Sequence, residues 1–221
     1  FRDQQRSRAI LLEAGRLADD LDDVDRLVQA TLANNRGFVS LVGGYDRERG
    51  AMLRRTAERM TDNGPELALV LAQLALELTF SPQVERRRRL AEQALAAARA
   101  SGDQRVIAQV LIRYLIAHWG PENPRDLVAA AAESIAISAQ LDEPLDLFHG
   151  LFWQAAAQLE LGRVQDAALT LREQERIAAR IGDGTAIWLC ECAASVHLAL
   201  RGQLDDAEAR AQHAAELAQR G

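Results

Sequence analysis

Two stretches, Gly162-Arg163-Val164-Gln165-Asp166-Ala167 and Gly202-Gln203-Leu204-Asp205-Asp206-Ala207, begin 40 residues apart and read alike. In each, glycine can take the left-handed backbone that closes a helix, and the carboxylates that follow suit the positive start of the next one. A second series keeps the same step. Ser101-Gly102-Asp103, Leu141-Asp142-Glu143 and Ile181-Gly182-Asp183 interrupt helical pattern, and stepping back from Asp103 by 40 and 80 meets Asn63 and Asp23. Two breakers per period make each repeat a helical hairpin, and hairpins repeating at this interval stack into a solenoid.

Between the breakers the spacing predicts helices over 3–20, 23–35, 46–61, 65–79, 83–100, 103–118, 124–140, 144–161, 164–181, 185–201 and 204–220. The 103–118 span shows why: Ile107, Val110, Leu111, Tyr114, Leu115 and His118 recur at three- and four-residue steps and form one wide apolar stripe. Asp103 and Asp183 are placed to cap helices, and Pro65 and Pro144 fall at early helical positions where the missing amide hydrogen costs nothing. Alanines such as Ala94, Ala97, Ala98, Ala129, Ala132, Ala136, Ala167 and Ala168 suit close helix contacts. Of the 221 residues 5% are aromatic, with 14 glycines and 5 prolines, and strand formers never cluster in alternating runs. The expected fold is all-α, one right-handed α-solenoid domain over 1–221. The irregular stretch 37–46 is expected to lay Phe38, Val39, Leu41 and Val42 onto it. The first helix holds the second place in a hairpin whose first helix is missing, so the chain reads as a fragment of a larger protein.

The charge narrows the function. A net charge of −6 and a pI near 5.3 argue against direct nucleic-acid binding, which calls for a basic excess. The longest apolar stretch, 67–76, is half the length of a membrane span, so no membrane association is expected. Cys190 and Cys192, two apart on a helix, diverge by roughly 200° and read as reduced small core residues, which suits a cytoplasmic setting. Gly43-Gly44-Tyr45-Asp46 lacks the Gly-Lys-Ser/Thr of a phosphate loop, and neither a nucleophile motif nor metal-ligand spacing occurs. Glu85-Arg86-Arg87-Arg88-Arg89 reads as a solvated helix with local ion pairs such as Arg88 with Glu92. No catalytic residue, cofactor or metal is assigned.

The scarce aromatics concentrate in first helices. Tyr114, His118 and Trp119 fall on one hairpin, Phe148, His149, Phe152 and Trp153 on the next, Trp188 on a third. Phe148 and Trp188 are one period apart, as are Arg113 and Trp153. Two readings follow. In one the set is core, with Phe148 and Phe152 packing inward one turn apart. In the other Arg113, Tyr114, His118, His149, Trp153, Gln154 and Trp188 line a groove, with Arg113, His149, Trp153 and Gln154 exposed. Arginine stacks on indole and pairs with carboxylate, so that groove would take an acidic or amide-rich peptide or a small anionic aromatic effector.

Leu161-Gly162 with Ala167, answered by Arg201-Gly202 with Ala207, resembles the helix-turn-helix signature of tetratricopeptide repeats, at a step longer than their usual 34 residues. With Asn34-Asn35-Arg36-Gly37, the 40–49 stretch SLVGGYDRER and the 150–162 stretch GLFWQAAAQLELG, the chain is similar to the helical region of signal-transduction ATPase regulators, the group that includes the maltose-regulon activator and actinobacterial LuxR-type proteins. The resemblance implies a non-catalytic protein- or ligand-binding sensor segment of a cytoplasmic signalling or transcription regulator, working with an ATPase module elsewhere in the parent chain. The alternative is a constitutive oligomerisation scaffold with no small-molecule ligand.

Overall fold

The computed structural model describes residues 2–35, 44–120 and 124–220. They form eleven helices and, among the described residues, no strand: α1 (Arg2–Asp20), α2 (Val24–Ala33), α3 (Arg47–Arg59), α4 (Pro65–Glu77), α5 (Val84–Ser101), α6 (Gln104–His118), α7 (Pro124–Gln140), α8 (Pro144–Glu160), α9 (Val164–Ile181), α10 (Gly184–Leu200) and α11 (Leu204–Arg220). Every expected helix is present, with ends within two residues of those the breakers set. The expectation for Phe38, Val39, Leu41 and Val42 falls outside the described residues.

The breakers work as local chemistry requires. The backbone is left-handed at Asp22, Gly102, Asp142 and Gly182, and again at Gly162 and Gly202, so the period of the sequence is a period of helix-ending turns. Asp23, Asp46 and Asp183 cap their helices by accepting from the amides of Arg26, Arg49 and Ala186. Asp103 accepts from those of Arg105 and Val106. Each carboxylate thereby satisfies donors that have no partner within the helix.

The chain forms two compact units, Phe1–His118 and Trp119–Gly221. In the first, α4 packs on both α5 and α6, and α3 packs on α2 and α4. Its core joins Leu53, Val70 and Leu74 with a cluster in which Ala75, Ala91 and Ala117 meet. In the second, α8 lies against α7 and α9, and α10 against α9 and α11. Phe148 is 0% exposed and is among the largest fully buried side chains. This is the arrangement of stacked antiparallel hairpins.

Polar groups are drawn into the first unit. Arg49, buried, donates to Asn34 Oδ1 at 2.6 Å and lies 3.5 Å from Glu77 Oε1, itself buried; together they tie the end of α2 to α3 and α4. Thr31 and Thr56 share a buried hydroxyl bond of 2.8 Å. The arginine run on α5 is not uniformly solvated: Arg87 is buried and donates to the Thr79 carbonyl at 2.8 Å. Its stem covers apolar neighbours while its head closes the loop before α5.

The left-handed turns generate a prediction. A Cβ added at Gly102 or Gly182 would meet nothing within 4 Å, yet their φ values are +71° and +70°. Alanine there carries a purely backbone penalty, so each Gly→Ala variant should lose about 1 kcal/mol by urea unfolding. Gly184→Ala, in equally open space without a positive φ, should lose nothing.

Candidate interaction face

The aromatic residues divide by helix geometry. Along α8, at about 100° per residue, Leu145, His149, Phe152, Ala156 and Glu160 fall on one open face, and all are exposed or half-buried. Phe148, Leu151 and Ala155 lie around one flank of that face and are buried. Phe148 is core, as the core reading has it, whereas Phe152, one turn on and placed inward by the same reading, is only partly covered.

Trp153, exposed in the groove reading and buried in the core reading, is buried. It is 7% exposed, with Phe152 edge-on at 5.3 Å and Trp119 edge-on at 5.4 Å between ring centroids. Trp119 forms the outer layer: it is 54% exposed, and its indole N–H donates to Glu160 Oε1 at 3.0 Å. The reason is its angular position. Trp153 sits at the border of the open face, where Phe152 and Trp119 meet its ring edge-on.

The remaining candidates separate. His149 is half-buried, with its ring 5.6 Å from that of Phe148. Gln154 is also half-buried but lies about 140° around α8 from His149, so the two do not share a face. Trp188, half-buried, heads a stripe on α10 with Cys192 and Ser195, likewise partly open. In the first unit, half-buried Arg113 donates to Gln73 Oε1 at 3.4 Å and to the Gln109 carbonyl at 2.8 Å, and Gln73 donates to Asn35 at 3.3 Å. His118 is buried, stacked on half-buried Tyr114 with ring centroids 4.0 Å apart, and its Nδ1 lies 3.0 Å from the Tyr114 carbonyl. It is core rather than groove.

Sequence reasoning passed over Phe152, Leu145 and Cys192 as surface. Their spacing of four and seven residues from exposed neighbours is visible in the sequence, but apolar residues crowd every side of α8 and α10 and hide which side is open. Chemistry at the thiols is suppressed. Burial, then the charges of Glu175 and Glu191, push Cys190 up to about 12, and burial also raises Cys192, so both remain protonated at neutral pH and act as small apolar groups. Among the described residues no group of three or more His, Cys, Asp or Glu could hold a metal ion, and no helix is long and apolar enough to cross a membrane.

Trp153→Ala should cost about 3–5 kcal/mol of unfolding free energy, the usual loss for emptying a buried aromatic site, while Trp188→Ala should cost far less; urea midpoints of the two variants check this. The imidazoles set an acid limit. Burial lowers the affinity of His118 and His197 for protons in the folded chain, against the ordinary 6.5. The unfolded chain then binds more protons, so the stability these groups confer is complete above about pH 6.5 and is lost as pH falls below it. Unfolding curves between pH 7.5 and pH 5 should show that decline, and His118→Phe should reduce its slope.

No family model matches the chain, and no curated protein matches it in sequence. Solved structures do match. A Podosopora anserina protein of nearly identical, kinesin-light-chain TPR-like repeats superposes with a TM-score of 0.62 over 99% of this chain and 98% of its own, at 16% identity. The apo form of RapI superposes with a TM-score of 0.54 over 98% of this chain and 85% of its own, at 10% identity. Helix order, turn period and these superpositions agree: the chain has the all-α fold of tetratricopeptide-like repeat proteins.

Proposed function

We propose that this chain is a non-catalytic interaction domain whose second unit recognises a peptide or protein segment through the open faces of α8 and α10. One observation carries the reading: in a chain where 5% of residues are aromatic, Phe152, Trp119 and Trp188 are left partly or largely open on the second unit, when the same unit buries Phe148 and Trp153 completely enough to show that it has room to do so. Large rings half out of water lose hydrophobic free energy that a partner would recover.

The chemistry of that surface selects its partner. Around Phe152 stand Leu145, Ala156 and His149, and around Trp188 stand Cys192 and Ser195, all weakly polar. Such a face takes apolar and aromatic side chains, with His149 and Glu160 adding polar character at its edge. The acid-binding character expected from Arg113 belongs to the first unit, where Arg113 already serves Gln73 and Gln109. Within the resemblance to ATPase regulators, such a domain would sense a protein or effector in a cytoplasmic signalling or transcription protein and report occupancy to an ATPase module.

A displayed library of random peptides, panned against the intact chain and followed by thermal shift with the selected peptides, tests the reading. Binders should be rich in Leu, Phe and Trp, should raise the melting temperature by mass action, and should lose at least about tenfold in affinity on Phe152→Ala or Trp188→Ala while both variants keep wild-type far-ultraviolet dichroism. Selected peptides that bind both variants as well as wild type would move recognition off these faces. Failure to select any peptide would favour the scaffold reading.

A further inference from the structure

Helix α1 carries two apolar faces and uses one. Leu12, Gly15 and Ala18 are buried, and beside them Arg8 grips Asp46 with two hydrogen bonds of 2.6 and 2.8 Å, Asp19 accepts from Arg55 at 2.9 Å, and Asp22, just beyond the helix, pairs with Arg59. These contacts fasten α1 to α3. The opposite side holds Ile10, Ala14, Leu17 and Leu21 at steps of four, three and four, with Ile10 58%, Leu17 53% and Leu21 72% exposed. A solvent-facing helix normally puts polar residues there. Between this stripe and α2 lies a cleft of about 550 Å³, lined by Leu11, Ala14, Leu17, Ala18, Ala30 and Ala33 among others, wide enough for part of a helix and apolar on most of its wall.

We propose that the occupant is α1 of a second copy of this chain, running antiparallel across a two-fold axis near Ala14, so that the two α1/α2 hairpins form a four-helix interface. Charge placement selects this partner and this direction. Arg6, Glu13 and Asp20 stand seven residues apart along one flank of the stripe, and all three are exposed. In an antiparallel pair, residues of one heptad position face their own equivalents at the far end of the partner helix, so Arg6 meets Asp20 of the second copy, twice over. Ile10 then covers Leu17 of the second copy, also twice. The two Glu13 carboxylates approach near the axis, and each already has Arg16 on its own helix at 3.4 Å. A parallel partner would set this flank against the other flank of its stripe rather than against itself and forfeit the complementarity. Small Ala14 at the crossing permits close approach.

Sedimentation velocity of the full chain from about 1 to 100 µM, a range that spans modest protein affinities, reads the outcome. A dimer is expected. Leu17→Glu should yield monomer at every concentration, and Leu21→Glu, at the most exposed end of the stripe, gives the same reading should the first variant fail to keep its helical dichroism. Arg6→Glu should weaken the dimer at least about tenfold, and Arg6→Glu combined with Asp20→Arg should restore it by exchanging the two signs. A wild-type monomer throughout overturns the proposal and leaves the cleft to a preceding helix of a longer parent chain or to another protein. So does a dimer that survives both glutamate variants, or one that the charge exchange does not rescue.

Discussion

Close approach of helices at alanine and glycine is the constraint on which the rest of the structure depends. At Gly150 a Cβ would stand 2.9 Å from Ile135 Cγ1, so α7 and α8 meet where even alanine would force the Ile135 side chain to shift. Ala75, Ala91 and Ala117 do the same for α4, α5 and α6, and Ala94, Ala98 and Ala167 are buried to 0%. Axis separation follows the size of the residues at a crossing. A thin core follows in turn, with large side chains confined to positions such as Phe148, Leu53, Leu111, Leu115 and Ile177 between the crossings.

A thin core explains the buried polar groups. Alanine removes little apolar area from water, so hydrophobic transfer near each crossing is modest, and backbones held close bring neighbouring polar residues out of solvent whether or not they favour it. Arg49, Asn34 and Glu77 answer by meeting one another, and Thr170 by donating to Gln158 at 2.9 Å. Burying an ion pair costs desolvation that the attraction offsets only with good geometry. Its value here is in fixing where α2 ends against α3 and α4, which an alanine surface alone would leave free to slide.

Legibility in the sequence follows the same division. Helix limits were readable because turn chemistry is local: Gly102, Asp142 and Gly182 need no tertiary partner to end a helix, and Asp103 and Asp183 cap within three residues of themselves. The side from which each aromatic residue sees water was not readable. Phe148 and Phe152 share residue type, helix and near-common face, yet only the first is fully buried, because coverage depends on what α7 and α9 bring to each level of α8. Trp153 and Trp119 show the same effect, one indole shielding another. Arg49 and Arg87 escaped for a different reason: nothing in a charged residue's own neighbourhood announces that distant helices will close over it.

Helix α10 carries the argument furthest. Its sequence, from Gly184 to Leu200, is apolar on nearly every side, with a single carboxylate, Glu191, held by Arg210 at 2.7 Å and approached by His213 at 3.5 Å. A helix of that composition belongs in an interior, yet Val196 and Leu200 are mostly exposed and Trp188 and Cys192 partly so. The same mismatch between composition and cover marks the outer stripe of α1. In a fold whose hairpins stack by repetition, any apolar face not taken by a neighbouring hairpin stays uncovered, because alanine crossings leave no larger core into which the chain could fold it. The surfaces available for recognition are thus a consequence of the packing rule itself, which explains why they are apolar and helical.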